Sequence, residues 1–183
     1  AASRDGYGSA LVKLSDDPLV VVIEADLGKS TKSQMFRNLY PERSISLGIS
    51  EQNMIDVAAG LALSGKKVYV YAMGPFITLR CLEQLKCSLA QMNLPVTVIS
   101  VGLGLGYADA GPTHYITEDL ACLRSIVNFE VYTPSDLSTV VELAELTNRK
   151  PALRVLRLDR NAVEDLYGQG VSVDTGFAEL KKG

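Results

Sequence analysis

RSISLGISEQNM, residues 43–54, reads as a short strand, a turn at Gly48 and a helix that opens at Glu51. The apolar run ending in Gly48-Ile49-Ser50 carries a carboxylate to the mouth of a sheet and sets it on the first turn of a helix. Ligands of open α/β folds sit outside the carboxyl ends of the strands, so this is a place where an acid can meet a cofactor. A structural role for Glu51 stands beside that one. Ser50 reads as a helix cap, and the helix dipole by itself favours an acid just after a cap.

Outward from this stretch, helices and strands alternate. Tyr7, Ala10, Leu11 and Leu14 recur at helical spacing, Asp16-Asp17-Pro18 stops that helix, and LVVVIEAD (19–26) is a β-branched run suited to the middle of a parallel sheet. The loop that follows offers Asp26, Lys29, Ser30 and Thr31 at the carboxyl end of the strand, and a short helix over 34–39 leads into the strand before Glu51, expected to be central. After Glu51, the residues Met54, Ile55, Val57, Ala58, Leu61 and Ala62 form a wide apolar stripe that Gly65 closes. Ala58-Ala59-Gly60 would let another backbone approach closely. KVYVYA (67–72) predicts a strand, Gly74-Pro75 the start of a long helix over 76–92, and VTVISV (96–101) another buried strand.

Residues 102–114 are glycine-rich and without periodicity, and loops of that length inside a domain are often functional. Leu120, Leu123 and Ile126 then mark a helix, EVYT (130–133) a strand, Pro134-Ser135-Asp136 a helix start, and ALRVLRL (152–158) the last strand. The pattern predicts an α/β fold, a single doubly wound and mostly parallel sheet with helices on both faces. Residues 1–165 make up the domain, and 166–183, punctuated by Gly168, Gly170 and Gly176, read as a linker or tail toward a missing C-terminal domain.

The 183 residues suffice for one core, with 47% apolar and 21% charged residues. A net charge of −3 advertises neither nucleic acid nor an anionic membrane as partner. No apolar run reaches the roughly 20 residues of a membrane span, and no leader pattern begins the chain. Cys81, Cys87 and Cys122 lack metal or redox spacing and are expected as buried thiols in a reducing cytoplasm. Gly102-Leu103-Gly104-Leu105-Gly106 fails as a dinucleotide fingerprint, because its third glycine is out of register and no helix follows directly.

Two blocks, GISEQNMIDVAAGLALSGKKVYVYAMGPF (48–76) and GPTHYITEDLACLRSI (111–126), resemble in this order the pyrimidine-binding domain of transketolase and its relatives. The likeness runs from about residue 4 to about residue 160. It is weaker toward 1-deoxyxylulose-5-phosphate synthase and the β subunits of 2-oxo-acid dehydrogenases. The resemblance implies thiamine diphosphate as cofactor, with Glu51 hydrogen-bonded to a ring nitrogen of its aminopyrimidine. That contact favours the tautomer that deprotonates the thiazolium carbon. The role needs a carboxyl able to hand over a proton, which burial favours and the helix terminus opposes.

The resemblance further implies that Phe76 lies against the aminopyrimidine, with Leu79 and Leu82 making the rest of that pocket aliphatic. His114, the only histidine, matches the one that contacts the sugar near the reacting carbon. Asp26 and Ser30 match positions near the cofactor and the sugar phosphate, and Arg4, across a one-residue gap, a phosphate-binding arginine. The acid that reads donor stereochemistry in transketolase is here Ala110, with Asp109 one step earlier as a substitute.

The Gly-Asp-Gly motif that holds the diphosphate and a divalent metal, Mg2+ or Ca2+, is absent from this sequence. The family places it on a separate domain, and nothing in this chain collects metal ligands. The implied enzyme is a transferase moving a two-carbon ketol unit between sugar phosphates. Its cofactor would be shared with a diphosphate-binding domain or subunit, in a homodimer, this chain alone being an inactive fragment or subunit. The alternatives are a related carboligase, a 2-oxo-acid dehydrogenase β-type subunit, and a non-catalytic assembly domain.

Overall fold

Six strands pair side by side in one sheet: β1 (Val20–Glu24), β2 (Ser44–Ser46), β3 (Lys67–Met73), β4 (Val96–Val101), β5 (Glu130–Tyr132) and β6 (Arg154–Leu158). Their order is β2-β1-β3-β4-β6-β5 and every neighbouring pair is parallel, the α/β architecture expected from the alternating pattern. This computed structural model describes residues 2–167 and 170–176. Gly168, Gln169 and residues 177–183 of the expected tail lie outside the described residues.

Eight α-helical segments cover the sheet: α1 (Ser3–Lys13), α2 (Gly28–Thr31), α3 (Gln34–Leu39), α4 (Glu51–Leu63), α5 (Gly74–Ile77), α6 (Leu82–Gln84), α7 (Asp119–Leu123) and α8 (Leu137–Arg149) among the described residues. Strand side chains alternate between two helical layers, as the period of two requires. Val21, Ile23, Val68 and Val70 pack with Met54 and Ile55 of α4 and with Leu85 and Leu89. Val20, Val22, Tyr69 and Tyr71 pack with Tyr7 and Leu11 of α1, Phe36 of α3 and Val140 of α8. Both faces of β1 and β4 are therefore buried, which explains sequences that are apolar but for Glu24, Thr97 and Ser100.

Several expectations are corrected. β2 is an edge strand, not a central one, because only β1 pairs with it. The long helix expected over 76–92 is broken: α5 stops at Ile77, α6 spans three residues, and Leu85–Ala90 is a π-helical segment. Ala58 and Ala59 lie against the sheet as expected, and Gly60 faces open space, where another backbone has room to approach. Of the cysteines only Cys81 is buried; Cys87 is exposed beside Lys86 on the outer side of the π segment, and Cys122 is half-buried.

The described part of the tail folds back on α8. The Leu166 and Tyr167 amides donate to Asp136 Oδ2 at 2.9 and 2.8 Å, and Val173 is buried in the second core layer.

β1 lies between β2 and β3, so the chain turns to opposite sides of β1 in succession and the strand order reverses between β1 and β3. Loops diverge at such a point and open a crevice beyond the carboxyl ends of the strands.

Candidate active site

Glu51 is the first residue of α4 and is only 3% exposed. Ser50 precedes it in the cap position but makes no side-chain cap, since its hydroxyl donates instead to the Leu47 carbonyl at 2.8 Å. The hydroxyl expected to cap the helix thus closes the turn that carries Glu51 inward. Glu51 Oε2 accepts a hydrogen bond from Arg80 Nη1 at 2.9 Å. The Arg80 guanidinium lies over the Phe76 ring, 4.3 Å from its centroid, and His114 meets the same ring edge-on, with centroids 5.4 Å apart. Glu51, Arg80, Phe76 and His114 therefore form one connected group drawn from the start of α4, from α5 and the turn after it, and from the glycine-rich loop.

The break after α5 is what places Phe76 and Arg80. Pro75 opens α5 at a position where a missing N–H is harmless. The Arg80 amide donates to the Pro75 carbonyl at 3.1 Å, a five-residue step wider than an α-turn, and Cys81 Sγ donates to the Phe76 carbonyl at 3.1 Å. Segments of π geometry such as Leu85–Ala90 are frequent at functional sites. Burial first, and then the charge of Glu51, push the Cys81 thiol up to about 12.

The glycine-rich loop is ordered by close approach. A Cβ on Gly102, whose φ is +89°, would lie 2.2 Å from the Tyr107 ring, so only glycine fits. The Ile116 amide donates to the Gly104 carbonyl at 2.9 Å, closing the loop that holds His114 over Phe76. Thr113 Oγ1 lies 2.8 Å from His114 Nδ1.

A second group gathers around Tyr107. Arg4 Nη1 donates to the Ser30 carbonyl at 2.9 Å and to the Tyr107 hydroxyl at 3.2 Å. Arg160 stacks over the Tyr107 ring at 4.5 Å and pairs with Asp109 at 3.0 and 3.4 Å. Arg4, Ser30 and Asp109 are thus brought together, with Asp109 engaged by a cation. Asp26 is exposed just beyond β1 with φ +57°, a left-handed conformation that Asp tolerates better than most residues. It lines a depression with Ser30 and with Glu24, whose buried carboxylate accepts from the Leu27 amide at 2.8 Å and pairs with Arg37 at 3.3 Å.

Sequence reasoning missed Arg80, Tyr107 and Arg160. Arg80 had a usable signal, since it stands four residues after Phe76. Arg160 had none, because only the fold carries the end of β6 to the glycine-rich loop.

An aromatic face beside a buried carboxylate fits an aminopyrimidine, which needs stacking and an edge-on hydrogen-bond partner. Among the described residues no group of three or more His, Cys, Asp or Glu side chains could hold a metal ion. No helix among them is long and apolar enough to cross a membrane.

Residues 1–165 match the model of a family described as the pyrimidine binding domain of transketolase. The chain is 32% identical over 167 residues to one subunit of the apulose-4-phosphate transketolase of Phocaeicola vulgatus, covering 91% of this chain and 54% of that one. It superposes with a TM-score of 0.87 on a split-gene transketolase solved as an inactive beta4 tetramer, at 32% identity, over 100% of this chain and 60% of that one. The transketolase of Campylobacter jejuni, at 23% identity over 100% of this chain and 29% of that one, gives a TM-score of 0.87 and shares the fold. The chain spans about half the length of the first curated relatives it matches, 52% and 54%.

Proposed function

Because the chain belongs to the transketolase pyrimidine-binding domain family, we propose that it supplies the pyrimidine half of a thiamine diphosphate site in a transferase that moves two-carbon ketol units between sugar phosphates. One observation carries the reading: Glu51 is buried on the first turn of α4, in one connected group with Phe76 and His114. When bound, the cofactor supplies the carbanion chemistry and the electron sink.

The chain's own residues bind and orient. Glu51 offers its carboxyl to a ring nitrogen of the pyrimidine and holds or passes the proton there. Phe76 lies against the ring, and Asp26 approaches the cofactor from the end of β1. His114 faces the substrate near its reacting carbon, while Arg4 and Ser30 serve the phosphate end. The diphosphate and its divalent metal fall to another domain or subunit, in a homodimeric cytoplasmic enzyme. Residues 166–183 lead toward a further C-terminal domain.

Ala110 favours a second reading. The acid expected there is missing, and Asp109 is already paired with Arg160. A donor other than a ketose phosphate is then accommodated, as in a carboligase. Assembly with a diphosphate-binding partner, followed by assays with xylulose 5-phosphate and with pyruvate as donors, separates the two. In the same complex Glu51→Gln keeps its fold and loses turnover. Unchanged turnover ends the proposal.

A further inference from the structure

We infer that Arg80 is a resident stand-in for the pyrimidine ring: its guanidinium occupies the Glu51 carboxylate and the Phe76 face, and a ring can bind there only when Arg80 swings away. The inference deepens the reading of Glu51 and Phe76 proposed above and rests on it. A guanidinium is flat, delocalised and edged with N–H donors, so an aromatic face and a carboxylate oxygen satisfy it together. An aminopyrimidine is flat and edged with nitrogen, and it asks for the same two surfaces. Arg80 meets both at once, with Nη1 2.9 Å from Glu51 Oε2 and its guanidinium carbon 4.3 Å from the Phe76 centroid.

The two partners differ in freedom. The Glu51 side chain is 3% exposed and fixed by the helix start, whereas the Arg80 side chain is 45% exposed and reaches in from solvent. The Arg80 backbone is held at both ends, its amide by the Pro75 carbonyl and its carbonyl by Gln52 Nε2 at 3.2 Å. Displacement is therefore a rotation of one side chain that leaves the core packed. Arginine can only donate hydrogen bonds, so the Glu51 oxygen it holds cannot give a proton to a ring nitrogen. Until a ring arrives, Arg80 spares the buried carboxylate from standing unpaired.

Thiamine, which lacks the diphosphate that the other domain holds, is the probe, and it is added to the chain assembled with its diphosphate-binding partner. The unsubstituted chain, Arg80→Gln and Arg80→Lys are titrated with it and followed by NMR at the Phe76 ring, the Glu51 side chain and the Arg80 Nε–Hε. Arg80→Gln is expected to bind about tenfold more tightly, because the competing occupant is gone. Arg80→Lys falls between, since an ammonium pairs with Glu51 but cannot lie flat on Phe76. In the unsubstituted chain, saturation moves the Arg80 signal to that of a solvated arginine. Equal or weaker binding by Arg80→Gln, with Phe76 shifted in both proteins, overturns the stand-in and leaves the pyrimidine site intact. Thiamine that shifts neither Phe76 nor Glu51 in the folded proteins overturns the site itself and the inference with it.

Discussion

Arg157 grips Asp119 with two parallel hydrogen bonds, Nε to Oδ2 at 2.7 Å and Nη2 to Oδ1 at 3.1 Å, with both side chains buried. The pair ties α7, immediately beyond the His114 loop, to β6 in the sheet. Asp119→Ala leaves the arginine buried without its partner, a loss of about 3–5 kcal/mol for pairs of this kind. Urea denaturation of the variant measures it. A loss under about 1 kcal/mol would mean that the pair is solvated and the loop is anchored elsewhere.

The sheet was legible because its interior strands are apolar on both faces. LVVVIEAD and VTVISV admit few other readings, and the glycines at 48 and 65 mark turns where φ is +69° and +85°. β2 was misplaced because three residues with serines on either side of Ile45 carry no signal for edge or centre. The long helix over 76–92 failed for a different reason. Its apolar periodicity survives a break, since a π turn shifts the phase without changing which residue types are buried. The family likeness pointed to Glu51, Phe76 and His114, which the fold brings together, while the contact between Arg80 and Glu51 depends on that unreadable break.

His114→Ala removes the edge contact with Phe76 and whatever proton the imidazole handles. In the assembled enzyme, turnover is expected to fall by about 100-fold or more. Thiamine affinity and urea stability should change little, because His114 lies on a loop held by its own backbone bonds. A parallel fall in thiamine affinity would reassign His114 to cofactor binding.

Asp136 caps α8 and carries the tail. Burial raises its carboxyl pKa, but the Thr139, Tyr167 and Leu166 amides and the Thr139 hydroxyl outweigh burial and hold it below the ordinary value. A carboxyl whose folded pKa is lowered stabilises the fold above its unfolded pKa, about 3.9, and loses that contribution as pH falls through the folded value. Asp136→Asn keeps one acceptor for the cap, cannot ionise, and turns an NH2 that cannot accept toward the Leu166 and Tyr167 amides. Its stability should therefore lie below that of the unsubstituted chain by about 1–2 kcal/mol at pH 7 and converge with it at the acid end. Curves that stay parallel from pH 7 down to pH 2 would show that the charge contributes nothing.

Cys81 reports on the segment that holds Phe76 and Arg80. Burial first, then the charge of Glu51, push its thiol up to about 12, and its Sγ donates to the Phe76 carbonyl. Only the thiolate attacks a disulfide reagent, so at pH 8 the reactive fraction of Cys81 is roughly three orders of magnitude below that of an ordinary thiol. Steric burial slows it further. A colorimetric disulfide reagent should therefore modify exposed Cys87 promptly in the native chain and reach Cys81 only when denaturant opens the fold. The sign in stability follows: with the folded thiol raised, stability is lost as pH climbs above about 8.5, where the unfolded thiol ionises and the folded one does not. Glu51→Gln removes the second cause but not the first, so labelling of Cys81 should quicken modestly and stay far behind Cys87. Labelling of Cys81 at the rate of Cys87 in the native chain would show that the turn between α5 and α6 is open to solvent, and with it the floor on which Phe76 and Arg80 are set.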